Sequence, residues 1–450
     1  MFKTLFNAWK VPELRKKILY TLLLLAIFRF GCVVTAPGVD IESLQLIKNY
    51  DANSIMTTIN IITGGAFSSL SIFALSISPY ITASIVLQLL TFAIPSLEEM
   101  SKEGENGRKR ISQYTRYTAV VLAAIEAFGI YMTYRVSGFH FINAPLTPLV
   151  FILSLTCGST LLMWIAEQLS SKGIGNGTSM LIFAGIVSRL PEAVRYLYSI
   201  VVERGIVGGL ISAAVVIGAI LLIAGVVWVT EAERRIPIQY AKRVVGRKMY
   251  GGQSTHIPMK LSMAGVMPVI FAMSFLQLPA MILQLINHDI ANSTGFWSGV
   301  YKVCAFTSLE TTGLWDSVTN TFNWGVLGFG LLHMLVYILL IVGFTFFYTM
   351  FMAFNPTEVS NNLKKNGGFI PGIRAGKPTA DYLTSVLASI TGFGSVFLAI
   401  IAVLPILTQF AGLQMGFGGT SLLIVVGVAL ESVKQLESQM LTRHYKGFLE

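Results

Sequence analysis

The chain has 450 residues, of which 54% are hydrophobic and only 12% charged, with a mean hydropathy of +0.69 and a formal net charge of +10. Soluble domains carry about 25% charged residues, so this composition excludes a soluble globular chain and points to a multi-spanning membrane protein. Cys32, Cys157 and Cys304 sit at no metal-ligand or disulfide-framework spacing and read as small apolar packing residues.

In chain order, Lys3, Lys10, Arg15, Lys16 and Lys17 precede an apolar run of spanning length with no small-residue cleavage pattern. That arrangement predicts a basic amphipathic helix feeding a retained first span. Ten apolar segments are long enough to cross a bilayer: 18–36, 72–94, 117–134, 146–166, 178–201, 206–229, 263–286, 327–354, 382–408 and 419–441. The fifth is interrupted by Arg189, Glu192 and Arg195, and charge decides whether it spans. With ten spans, 25 of the 32 Lys and Arg residues fall on the side of the N-terminus and six on the other, Arg29 lying inside the first span. Without the fifth span the split becomes 15 against 16. The positive-inside bias therefore favours ten spans with both termini cytoplasmic.

Interior charges are few: Arg29, Glu126 and, near a helix start, His333. Ion-coupled carriers place paired acids or histidines at mid-membrane, so this scarcity argues against one. An internal echo runs through the spans. Gly177-Thr178-Ser179-Met180-Leu181-Ile182 opens the fifth, and Gly419-Thr420-Ser421-Leu422-Leu423-Ile424 opens the tenth. Pro79-Tyr80-Ile81 in the second answers Pro268-Val269-Ile270 in the seventh. Two sets of five helices must enter the membrane in opposite senses, so the expectation is an inverted repeat, 1–205 and 206–450, with a hinge near 189–205.

Several stretches then converge on one family. Ser71-Ile72-Phe73-Ala74-Leu75-Ser76-Ile77-Ser78-Pro79-Tyr80-Ile81, Lys102-Glu103-Gly104-Glu105 and Ile111-Ser112-Gln113-Tyr114-Thr115-Arg116-Tyr117 resemble motifs of the SecY/Sec61-alpha family. So do Gly173-Ile174-Gly175-Asn176-Gly177, Gln253-Ser254-Thr255-His256-Ile257-Pro258, Phe354-Asn355-Pro356 and Phe369-Ile370-Pro371-Gly372-Ile373-Arg374-Ala375-Gly376. Residues 418–426 are similar to the family's tenth helix, and the matches keep their order along nearly the whole chain. The departure is Asn287–Trp324, longer than the usual family loop and without an assigned role.

The resemblance implies an all-α membrane protein of ten transmembrane helices in two inverted halves, with a short re-entrant plug helix. It implies the central pore subunit of a protein-conducting channel, which passes unfolded secretory chains across the membrane and releases spans sideways into lipid. It places a constricting ring at Ile77, Ile81, Ile182, Ile186, Ile270 and Ile424. Bulky apolar side chains around a narrow pore shed water and resist ions, and the i,i+4 pairs share a helix face. The plug is expected at about 59–70, with Ile62, Gly64, Gly65, Phe67 and Ser68. A lateral gate is expected between the second and seventh spans at Thr82, Gln88, Ser274 and Gln277, with helix packing alone as the alternative. The long basic loops 231–262 and 357–378 carry Arg243, Arg247, Lys248, Lys364, Lys365 and Arg374, expected to dock a motor and ribosomal RNA phosphates.

No G-x-x-x-x-G-K-[ST] phosphate loop, metal-ligand spacing or nucleophile–base pair occurs, so no catalytic residue, metal or cofactor is expected and the energy for transport must come from outside the chain. The implied partners are SecE, SecG, the SecA ATPase motor, the ribosome, signal-bearing polypeptides and membrane lipids, with residence in the bacterial plasma membrane. The competing readings are a secondary transporter for small solutes and a membrane scaffold without an aqueous path.

Overall fold

The computed structural model describes residues 6, 8–40, 63–136, 141, 145–240, 243–245, 248–250, 254–287, 290, 293, 295–305, 315–316, 321–322, 324–410 and 419–446. Helices dominate: α1 Pro12–Gly31, α2 Ser78–Ala93, α3 Pro95–Lys102, α4 Glu105–Val136, α5 Thr147–Lys172, α6 Gly177–Ser188 and α7 Leu190–Glu231. After strands β1 Glu233–Tyr240, β2 Arg243–Val245, β3 Lys248–Tyr250 and β4 Ser254–Lys260 come α8 Met267–Ile286 and α9 Phe296–Ala305. Short strands β5 Trp315–Asp316 and β6 Thr321–Phe322 lead to α10 Trp324–Phe347, α11 Pro356–Lys365, β7 Gly368–Phe369, α12 Lys377–Phe410 and α13 Gly419–Lys446. Each of the ten apolar segments overlaps helix, the fifth being divided between α6 and α7 and the sixth lying in the second part of α7. Among the described residues, five helical stretches are long and apolar enough to cross a membrane, or six if α2 and α3 are taken as one bent span. α1 falls short by charge, carrying Glu13, Arg15, Lys16, Lys17 and Arg29 within 20 residues, whereas α8 is 20 residues long and uncharged.

Local chemistry explains where helices begin. Proline, whose fixed φ suits the first turn and whose missing N–H is not needed there, lies in that turn in α1, α2, α3, α5, α7, α8 and α11. Two of the asparagines in the family-like motifs are N-caps. Asn176 Oδ1 accepts from the backbone N–H of Thr178 at 3.1 Å to start α6, and Asn355 Oδ1 accepts from Thr357 and Glu358 at 3.2 and 3.3 Å to start α11.

The expected hinge region is mostly helical. α7 has 42 residues, about 60 Å at 1.5 Å per residue, twice the hydrocarbon thickness. It is broken at Gly205, whose φ of 57° and ψ of −131° interrupt the ladder and leave two rods. Arg189, between α6 and α7, is the other break. The eighth segment ends in a π-helical turn, Tyr348–Ala353.

Two features depart from the sequence expectation. The expected plug helix is not helical where described: residues 63–70 form turns, and turns continue to Ile77 so that α2 starts at Ser78 rather than near 72. Leu70 (φ 40°) and Ser76 (φ 52°) take left-handed backbone, which an α-helix cannot hold. Residues 59–62, Ile62 among them, lie outside the described part. The long basic loops are also not irregular. β1 pairs antiparallel with β4 (Ile236 opposite Ile257) and on its other edge with β7 (Gln239 opposite Phe369). Ile236, Met259 and Ile370 from this sheet bury against Leu383, Val386, Leu387 and Ile390 of α12, which fixes both loops to one spanning helix.

Candidate functional site

The six isoleucines expected to form a ring come together. Ile77, Ile182, Ile186 and Ile424 are buried in one apolar cluster, and Ile81 and Ile270 pack against it half-buried. They arrive from the turn before α2, from α2 itself, from α6, α8 and α13, elements far apart in sequence. The echo has a structural meaning here. Each repeated tripeptide or hexapeptide lies at the start of its helix, so Ile81 and Ile270 each follow the first-turn proline by two residues. Ile182 and Ile424 likewise fall five residues after the glycines that open α6 and α13. The related helices also touch, α2 with α8 and α6 with α13.

The expected plug residues sit beside this cluster. Ala66 is fully buried within it, while Phe67 turns to a second cluster with Tyr134, ring centroids 6.1 Å apart. Ser68 and Ser69 both donate to the carbonyl of Gly65 at 3.1 Å, and the Phe67 N–H donates to Thr63 Oγ1 at 3.3 Å, closing the segment on itself. Its far end is pinned to the chain after α1: Ala36 N–H to Leu70 O at 2.8 Å and Ile72 N–H to Val34 O at 2.9 Å.

Residues that sequence reasoning had not placed in this site supply the seat. The Arg29 guanidinium donates to the carbonyl of Gly64. A Cβ on Gly64 would lie 2.9 Å from Gly185 Cα and 3.1 Å from Arg29 Nη1, and the residue's φ is 66°, so no other residue fits there without displacement. Arg189, ion-paired with Glu192, stands beside Gly65, its Nη1 3.4 Å from where a Cβ would be. Arg29 was legible only as a charge inside a span. Nothing in the sequence pairs it with a glycine 35 residues on.

The expected gate residues lie on α2 and α8, two helices that touch. Thr82 is buried, Ser274 and Gln277 are half-buried, and Gln88 donates to Ser84 at 3.3 Å within its own helix. Gln88 Oε1 is buried without a protein partner. Among the described residues no hydrogen bond crosses from α2 to α8. Beyond them, Phe92 of α2 packs edge-on against Phe347 and Phe351 at 5.1 Å each. Among the expected docking residues, Lys364 and Lys365 are exposed at the end of α11. Arg374 is exposed on a turn where Thr379 Oγ1 donates to its carbonyl at 2.8 Å. Arg243 and Lys248 fall in β2 and β3, of which the backbone is described, and Arg247 lies outside the described residues.

Comparison with known proteins agrees on one family. The SecY family model matches residues 71–433. A protein translocase subunit SecY of Streptomyces scabiei is 43% identical, with all of both chains covered. Its counterpart from Halalkalibacterium halodurans is 41% identical over the whole of both chains. A solved protein-conducting channel superposes with a TM-score of 0.64 at 20% identity, covering 95% of this chain and 92% of that one. The Sec61 channel of a canine ribosome–channel complex superposes with a TM-score of 0.60 at 19% identity, again covering 95% and 92%.

Proposed function

The chain belongs to the SecY family of protein translocase subunits, and on that premise we propose how its parts divide the work of a protein-conducting channel. It is a multi-pass membrane protein and a channel subunit, through which polypeptides cross the bilayer or leave it sideways. The convergence of six isoleucines from four helices and a turn on one buried cluster is the observation that carries the reading. Ile77, Ile81, Ile182, Ile186, Ile270 and Ile424 form the constriction. Apolar and branched, they exclude water at rest, and side-chain rotation lets a chain of varied side chains pass without a fixed binding partner.

Gly64, Gly65, Phe67 and Ser68 belong to the plug, seated by Arg29, Gly185 and Arg189. Ile62 extends it on the side that precedes Thr63. The seam of α2 and α8, with Thr82, Gln88, Ser274 and Gln277, is the lateral gate. Residues 1–205 and 206–450, divided at the Gly205 break in α7, are the two inverted halves of a ten-span bundle, with the hinge at 189–205. The sheet of β1, β4 and β7 with α11 forms a basic cytoplasmic platform, where Arg243, Arg247, Lys248, Lys364 and Lys365 meet ribosomal phosphates or the motor. Arg374, on an exposed turn between two fixed elements, couples to the SecA ATPase. SecE and SecG complete the complex in the bacterial plasma membrane, with both termini cytoplasmic.

The test is reconstitution of the complex in sealed vesicles, with the motor, cargo and an ATP-regenerating medium added outside. Signal-bearing cargo is expected to become protease-protected in an ATP-dependent way. Arg374→Gln is expected to reduce that protection while leaving assembly intact. Assembled vesicles that move no polypeptide but accumulate a small solute would overturn the reading in favour of a carrier.

A further inference from the structure

The segment between α8 and α10, unexplained by its family resemblance, contains a helix with a definite place. α9 packs Ser298, Tyr301 and Ala305 inward, and its apolar cluster includes Ala280 and Leu283 of α8. Toward α10, His333 Nδ1 lies 2.6 Å from the carbonyl of Val303, and Lys302 Nζ sits 5.9 Å from the ring centroid of Phe329. Ala280 is six residues short of the end of α8, about 9 Å, and His333 is nine residues inside the start of α10, about 14 Å. α9 therefore lies alongside the end thirds of its neighbours. It is on the membrane face opposite the sheet, because β4 leads into the start of α8 and α9 follows its end.

The first turn of α9 is not covered. Phe296 is 78% exposed and Trp297 63%, their rings edge-to-face at 5.6 Å. Exposed apolar residues continue from them along both neighbours, Ile282 and Ile286 on α8 and Leu331, Leu332 and Leu335 on α10. Those surfaces are what a multi-pass protein turns toward lipid. An aromatic pair at the edge of such a belt, with a lysine whose amine reaches a ring nearby, has the composition of an interfacial anchor.

We propose that α9 is a lipid-interface anchor: Phe296 and Trp297 insert among the headgroups and upper acyl chains of the leaflet opposite the sheet. Because its inner face is packed on α8, the anchor ties the outer end of that helix to the bilayer surface. The anchor stands apart from the pore reading, since it depends only on the chain spanning a membrane.

The test places a nitroxide at Trp297→Cys, and separately at Phe296→Cys, in a chain with its three native cysteines replaced. The complex is reconstituted in phosphatidylethanolamine–phosphatidylglycerol vesicles, and a label at Lys364→Cys serves as the water-exposed reference. The ratio of oxygen to nickel-chelate collision rates is expected to be severalfold higher at 296 and 297 than at 364. A ratio equal to that at 364 would put the turn in water and overturn the anchor. Protection from both reagents would put a protein surface over it, a second copy or a partner subunit, and overturn it equally. Two labelled positions keep the result readable if one variant fails to assemble.

Discussion

Two helix seams, related by the same internal echo, are held in different ways. α13 is tied by polar contacts to the start of α6, to the turn before it and to α1. Gly175 N–H donates to Gln435 Oε1, Ser432 Oγ lies 3.6 Å from Met180 Sδ, and Lys17 of α1 donates to Gln439 at 3.0 Å. A separate apolar cluster of Leu14, Ile174 and Leu436 closes the same end. α2 meets α8 with no hydrogen bond across among the described residues, and with Gln88 Oε1 buried and unpartnered. Interhelical hydrogen bonds in membranes are worth about 0.6–1.7 kcal/mol each, so even the two contacts that tie α13 to α6 and the turn before it add directional attraction that the second seam lacks. A channel that must part sideways while staying in one piece needs this asymmetry: one seam that holds and one that yields.

The largest expected effect comes from forcing the yielding seam to hold. Cysteines at Thr82 and Ser274, joined by a short bismaleimide in an otherwise cysteine-free chain, are expected to abolish insertion of membrane segments. The same reagent between cysteines at Met180 and Ser432 is expected to leave insertion near its starting rate. Equal inhibition by both locks would remove the distinction between the seams.

Next is the six-isoleucine cluster proposed as the constriction. Ile182→Asn or Ile424→Asn puts an amide into the buried cluster, wets it, and is expected to give a standing ion conductance in planar bilayers. A resting conductance as low as that of the unsubstituted complex would break the ring assignment. A smaller effect is expected from Gly64→Ala. A side chain there meets Gly185 and Arg29 and must hold left-handed backbone at a cost of about 1–2 kcal/mol. The plug should leave its seat about tenfold more often, which is what ~1.4 kcal/mol provides. A label on Ser68→Cys would report this as faster modification by a membrane-impermeant thiol reagent, and an unchanged rate would count against the seat. The smallest is Gln88→Met. Removing an unpartnered buried oxygen, which costs about 1–3 kcal/mol to bury, should tighten the closed seam. Insertion of weakly apolar segments should slow while strongly apolar ones proceed; faster insertion of both would contradict the account.

The helices were legible as apolar runs, although several start away from the run, α4 at Glu105 rather than 117 because its polar first turns extend beyond the apolar stretch. The clustering of the six isoleucines was legible because the family resemblance picks out all six positions and the echo picks out four of them. The sheet was hidden by Pro237 and Pro258, each of which removes a ladder donor from a strand that exists only once β1 and β4 are paired. Residues 63–70 read as a short plug helix and 72–77 as the start of the second span, and only Leu70 and Ser76 in left-handed backbone say otherwise. The plug seat is a contact between a side chain of α1 and a backbone carbonyl 35 residues later, a pairing no local pattern encodes. α9 was invisible as a helix, although its aromatic residues were in plain view.

The central claim is that polypeptide passes through the six-isoleucine cluster. A complex carrying Ile81→Cys as its lone cysteine, given a stalled cargo chain with one cysteine of its own, tests it most directly. The account predicts a disulfide that forms only when ATP and a functional signal sequence are both present. Cargo that is exported by the same complex yet never bonds to residue 81 would contradict it.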